Sequence, residues 1–273
     1  MKVQLQTLGW LLGQHPVHGV QGLGPMHLAG LALMMLRLPG VRLPVYGVFA
    51  ALGMIAAMWL SQKTAVRVGL EAEGLWDAGV FVVMAGFVLS RLTLIALDPR
   101  AFLRMPLVML ALPSYTWVDA SLTALAGVIY MRWKRIPLLA ALDAWAPCAA
   151  ALGAILSLGR FFTGADRGMP TRLPWGRVMP GSAGLMHQHP VDLYATLACL
   201  LLLIGLMKML ERHGRTGRVA AAALLAFGGV SFLLDMVTQP ESGPGAWLDP
   251  VQWLAVGMML SGGVLLTFLK EAA

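Results

Sequence analysis

The chain has 273 residues, of which 58% are hydrophobic and only 12% charged, against roughly a quarter charged in a soluble domain. With a mean hydropathy of +0.74, this excludes an ordinary water-soluble enzyme and fits one compact bundle in lipid rather than two domains. The formal net charge of +7 would suit nucleic acid, but the basic residues sit mostly in short loops between apolar stretches, so anionic lipid headgroups are the expected partner.

Taken in order, the N-terminal stretch MKVQLQTLGWLLGQHP carries one lysine and a short apolar patch, a poor signal peptide. Residues 23–36 (LGPMHLAGLALMML) are apolar but short for a span and contain His27. They read as a re-entrant or interfacial helix, with a full span as the other reading. Seven stretches then approach the roughly 20 apolar residues that a spanning helix needs: about 43–61, 76–97, 114–131, 138–158, 191–208, 219–238 and 248–269. The expected fold is an all-α polytopic membrane protein of about seven transmembrane helices. Residues 1–41 would be an N-terminal interfacial or external arm, and 42–273 a membrane domain with an external loop at about 159–190.

Loop charge sets the expected orientation. Arg132, Lys134 and Arg135 fill one short loop, and Lys208, Arg212, Arg215 and Arg218 another; both belong in the cytoplasm. The loop at 239–247 has no Lys or Arg, as expected outside. The N-terminus then lies outside and the C-terminus in the cytoplasm. Segment 159–190 resists the pattern: it belongs outside, yet carries Arg160, Arg167, Arg172 and Arg177. Either a loop this long escapes the charge rule, or its arginines collect phosphate headgroups through charge-assisted hydrogen bonds.

Ionisable groups at membrane depth are costly and tend to be functional. Arg91, Asp119, Asp192 with Tyr194, and Asp235 all fall near the outer ends of their spans. Four charged side chains from four helices therefore share one level, and a common polar cavity is the expectation, against separate snorkelling. Asp143 is the exception, near the cytoplasmic start of its span. Ser231, Asp235 and Thr238 lie on one helix face, which should turn toward the bundle or water. The pair His187 and His189 lacks further ligands at metal-binding spacing. Cys148 and Cys199 lie in apolar segments without a CxxC pattern and are expected as buried thiols. No hydrolase constellation stands out.

Segment 137–194 reads PLLAALDAWAP, then GRFFTGADRGMPTRLPWGRVMP, then HQHPVDLY. It resembles the prolipoprotein diacylglyceryl transferases, whose signature runs lDxxaP, GRxGNFxxGxxxGxPTxxPW and HPxQLYE. Asp143, Pro147, Gly159, Phe161, Gly164, Gly168, Pro170, Thr171, Pro174, Trp175, His189, Pro190, Leu193 and Tyr194 match that pattern. Tyr46 and Gly47 match the family's first-span YG, Arg91 its G-x-x-x-x-R-L segment, and Asp235, Gln252 and Trp253 resemble its ending. Order and spacing agree over about 42–269.

The resemblance implies seven helices with an outer N-terminus in the bacterial inner membrane. It also implies transfer of a diacylglyceryl group from phosphatidylglycerol, or another anionic phospholipid, to the lipobox cysteine thiol of a prolipoprotein, with no metal or cofactor. Arg160, His189, Tyr194 and Tyr46 become the candidate catalytic residues, and Arg91, Gly164, Asp166, Arg167, Asp235 and Trp175 the candidate substrate-binding residues. Arginines would neutralise the lipid phosphate, and a neutral His or Tyr would accept the thiol proton. The arm at 1–41 would lie over the site by the same analogy.

Departures from the pattern open a second reading. With the downstream motif in register, Ser157 stands where the family has the arginine of its GR opening, and Arg160 takes the Asn position. Ser231 and Thr238 replace both arginines of RFxxExxR; Thr163-Gly164-Ala165 replaces NGE; PSYTWVDASL replaces a glycine-rich segment; and Asp192 and Ala195 alter HPxQLYE. Each charge-assisted bond is worth about 1.5–3 kcal/mol, so losing two or three costs several orders of magnitude in rate unless Arg91, Arg160 and Arg167 rebuild the site. The chain is then either a divergent transferase or a catalytically inactive or repurposed member that binds phospholipid or a lipoprotein partner. A small transporter is the third reading, and no internal repeat supports it.

Overall fold

The computed structural model describes residues 35–38, 41–104, 116–164, 168–178, 187–212, 214–240 and 247–271. The chain divides into two units at Val45 and Tyr46. In the first, β1 (Met35–Leu38) pairs antiparallel with β2 (Val41–Pro44), Met35 opposite Pro44 and Leu38 opposite Val41. Residues 23–34 of the short helix expected at 23–36 lie outside the described residues, but its last two, Met35 and Leu36, belong to a strand. In the sequence the Pro39-Gly40 dipeptide is a turn signal.

The second unit is a helical bundle. Six helices are long and apolar enough to cross a membrane: α1 (Val45–Arg67), α2 (Ala72–Leu97), α5 (Leu138–Thr163), α6 (Val191–Glu211), α7 (Arg218–Asp235) and α8 (Pro250–Glu271). A seventh, α4 (Trp117–Trp133), has 17 residues and reaches about 26 Å at 1.5 Å per residue, nearly the hydrocarbon thickness. Each of the seven expected spans falls on one of these helices. The short α3 (Pro99–Arg104) was not foreseen.

The packing runs opposite to a soluble protein. Buried positions are mostly small: Ala65, Ala78, Ala141, Ala150 and Ala221, with Ser61, Thr64 and Ser90. Large apolar side chains such as Ile55, Phe87, Leu125, Leu201 and Leu260 face outward. Lipid tails solvate those side chains, so helices gain chiefly by close backbone approach at small residues. On α7 and α8 the approach is reciprocal: a Cβ on Gly228 would stand 2.6 Å from the Ala255 carbonyl oxygen, and one on Gly262 2.8 Å from that of Ala221. Exposed tryptophans mark both ends, with Trp117, Trp175 and Trp253 at one and Trp59 and Trp133 at the other, as in the aromatic belts of membrane proteins.

Local chemistry ends the helices. At the end of α1, Gly69 adopts φ +75°; its N–H bonds the Val66 carbonyl at 3.2 Å and that of Leu70 bonds Ala65 at 2.9 Å, a Schellman closure that favours glycine. The same closure ends α4, with Arg135 at φ 58°. At the start of α4, Thr116 and Asp119 form a reciprocal capping box. The bundle thus has a basic end, carrying the 132–135 and 208–218 loops, and an opposite end, where α1, α4, α6 and α8 begin and α2, α5 and α7 finish.

Asp143 belongs to the basic end. Its buried carboxylate accepts hydrogen bonds from Gly217 N–H at 2.5 Å and Ala220 N–H at 2.7 Å. The start of α7 has no capping side chain of its own, so a residue from α5 caps it across the bundle.

Candidate functional site

At the end opposite the basic loops, α5 finishes on Arg160, Phe161, Phe162 and Thr163. Gly164 closes it in the left-handed region at φ 71°, its N–H reaching the Arg160 and Phe161 carbonyls. Beside it α6 begins, and Asp192 sits in its first turn, where the helix dipole favours a carboxylate. Arg160 Nε lies 3.1 Å from Asp192 Oδ1; the arginine side chain is 55% exposed and the aspartate 5%. The pair neutralises the buried acid, and the outer edge of the guanidinium stays accessible.

The loop between them is not featureless. β3 (Pro170–Thr171) and β4 (Arg177–Val178) flank β5 (His187–Gln188) in a three-stranded antiparallel sheet. Gly168 and Met169 anchor it. Met169 N–H bonds the Val237 carbonyl at 2.8 Å, His189 N–H bonds the Met169 carbonyl at 2.9 Å, and Gly168 bridges Thr238. The loop is thereby stitched between the start of α6 and the end of α7. A Cβ on Gly168 would fall 1.9 Å from the His189 carbonyl oxygen, which no side-chain rearrangement relieves. Gly168→Ala should therefore unseat the loop, read as rapid proteolysis within residues 165–190 in a sample whose helix content is unchanged.

Around this anchor the side chains close up. Trp175 Nε1 donates to Tyr194 Oη at 2.8 Å, and the Tyr194 ring stands 6.2 Å from that of His189. His189 Nδ1 is buried with no hydrogen-bond partner among the described residues. Trp175→Phe and Tyr194→Phe should each cost about 0.5–1 kcal/mol of thermal stability, and the double variant no more than either alone, since each removes the same bond.

The sequence-derived candidates therefore fall into groups. Arg160, His189, Tyr194, Trp175 and Gly164 share the junction of α5, the loop sheet and α6. Asp235 is in the last turn of α7, three residues before Thr238. Tyr46, 41% exposed, lies one turn before Phe49, which packs against Gly159 and stacks on Phe162 at 5.6 Å, so α1 brings Tyr46 to the same end. Arg91 acts electrostatically on Asp119 and lies over the Phe87 ring at 5.0 Å. Asp166 and Arg167 lie outside the described residues.

Several expectations take a different form. Asp119, a member of the shared polar level, completes the Thr116 capping box. The Thr238 hydroxyl bonds the Leu234 carbonyl at 2.9 Å. Arg177, one of the four loop arginines weighed as headgroup collectors, also has a structural contact: its Nη1 donates to the Phe161 carbonyl at 2.7 Å, with its guanidinium over the Phe161 ring at 5.2 Å. It pins β4 to the end of α5, and its place two residues after Pro-Trp was the signal available.

A model of the family described as prolipoprotein diacylglyceryl transferase matches residues 33–268. Among similar proteins, the phosphatidylglycerol–prolipoprotein diacylglyceryl transferase of Clostridium tetani is 22% identical over 234 residues, which is 84% of this chain and 94% of that protein. That of Geobacter sulfurreducens is 29% identical over 238 residues, 83% and 88% of the two chains. That of Paracidovorax citrulli reaches 33% over 152 residues, 52% of this chain and 56% of that protein. The match runs through the loop sheet and into every one of the seven helices, and the chain belongs to the prolipoprotein diacylglyceryl transferase family.

Proposed function

We propose that this protein transfers the diacylglyceryl group of phosphatidylglycerol to the cysteine thiol of a prolipoprotein. The sulfur forms a bond to the glyceryl carbon, the carbon–oxygen bond to phosphate breaks, and glycerol phosphate leaves with the electron pair. The observation that carries it is the collinear family match across residues 33–268. The cluster at the α5–α6 junction supports it with suitable chemistry. Arg160, exposed on one side and anchored by Asp192 on the other, is a preorganised cation for the phosphate that leaves. His189, whose Nδ1 has no hydrogen-bond partner among the described residues, is the group to take the thiol proton, with the Tyr194 ring beside it. Arg91, Asp235, Trp175 and Tyr46 serve the approach in this reading; Asp166 and Arg167, also expected there from the sequence, lie outside the described residues.

The proposed setting is the bacterial inner membrane, with this cluster and the N-terminus on the outer side and the basic end and C-terminus in the cytoplasm. A second reading, of a member that binds phospholipid or a lipoprotein partner without turnover, is favoured by one observation. Ser157, Ser231 and Thr238 hold hydroxyls where the family pattern has arginines. The two readings separate in cells depleted of their own transferase. A lipobox-bearing precursor should gain the diacylglyceryl group when this protein is expressed; no gain from a folded, membrane-inserted sample defeats the enzyme reading.

A further inference from the structure

At the basic end, away from the cluster above, a cavity of about 850 Å³ opens between α1, α6 and the start of α7. That is ample for a small ligand. Its charged lining is Arg67, Lys208, Arg212, Arg215, Arg218 and Asp143, five cations to one carboxylate. The carboxylate is already engaged by the backbone N–H groups of Gly217 and Ala220. Arg67 pairs with Glu211 at 3.1 Å, and Arg215 donates to the Leu269 carbonyl. Lys208, Arg212 and Arg218 have no side-chain partner among the described residues.

Cations in membrane-protein loops are ordinary, and Lys208 and Arg212 suit the C-terminal turn of α6. Neither fact explains Arg218. It occupies the first turn of α7, where the helix dipole disfavours a positive charge, and it faces the same hollow as the other four. Val66, Met209 and Val219 add an apolar wall. A Cβ on Gly205 of α6 would meet nothing within 4 Å, which leaves the cavity margin open beside the helix.

We propose that this cavity is a second anion site, binding a phosphate mono- or diester with Lys208, Arg212 and Arg218 around the phosphate. The phosphate belongs either to an anionic phospholipid of the adjacent leaflet or to a soluble phosphate compound. The site does not depend on the transferase reading. The test uses the full chain in detergent, in an Arg160→Ala background so that the opposite end contributes little. Binding of dioctanoyl phosphatidic acid and of inorganic phosphate is titrated separately. Lys208→Ala/Arg212→Ala should weaken binding about tenfold or more, whereas Arg132→Ala/Lys134→Ala, equal in charge but outside the cavity, should leave it unchanged. Lys208→Gln/Arg212→Gln serves if the alanine pair does not fold. Binding of the short-chain lipid alone identifies the membrane source, and comparable binding of inorganic phosphate the soluble one. No binding of either probe, or equal losses in the cavity and control pairs, overturns the proposal.

Discussion

Alanine at Asp143 is expected to destabilise the bundle by about 3–5 kcal/mol, because it leaves two buried backbone donors without acceptors. The carboxylate reaches 74 and 77 residues along the chain, to Gly217 and Ala220, and supplies the cap that the sequence around Gly217 lacks. It also ties α5 to the start of α7, beside the apolar contact of Ala146 and Ala150 with Val219 and Ala223. Asp143→Asn should recover part of the loss, since the amide keeps one acceptor oxygen. Unfolding in mixed micelles measures both, and a change below about 1 kcal/mol for the alanine variant would refute the capping role.

Arg160→Ala is expected to lower transfer of the diacylglyceryl group by about 100- to 1000-fold, the usual cost of removing a preorganised charge-stabilising donor. It should also reduce stability, because the buried Asp192, 5% exposed, loses the attraction of the Arg160 guanidinium. These effects can be pulled apart. Adding Asp192→Asn to Arg160→Ala should restore part of the stability by removing the buried charge that Arg160 offsets, while activity stays lost. If the double variant regains activity with its stability, Arg160 is a structural partner of Asp192 and the phosphate role fails. Arg160→Lys keeps the charge but not the planar fork, and should fall between wild type and alanine.

These expectations rest on positions that were unequally visible beforehand. Seven spans were legible because lipid imposes an apolar run of fixed length, a local property that needs no knowledge of the fold. The basic end was legible for the same reason, as charge in short loops. The hairpin at Met35–Pro44 was missed because apolar density outweighed the Pro39-Gly40 turn signal. The depth of Asp119, Asp192 and Asp235 was readable at a fixed rise per residue, but depth says nothing of rotation about the helix axis. That Asp119 completes the cap on its own helix while Arg91 of α2 acts on it could not be read from depth.

By itself the amino-acid sequence determined the solvent, the number of crossings, the charged end and, through the spaced glycine, proline and tryptophan motifs, the family. Only the tertiary structure decided who meets whom: Arg160 with Asp192, Trp175 with Tyr194, Asp143 with the start of α7, and Gly168 against His189. Spans form from interactions within about one helical turn, so their signal is written contiguously. The partners in these four pairs lie 19 to 77 residues apart, at offsets set by how the helices rotate and pack, and no local pattern encodes those.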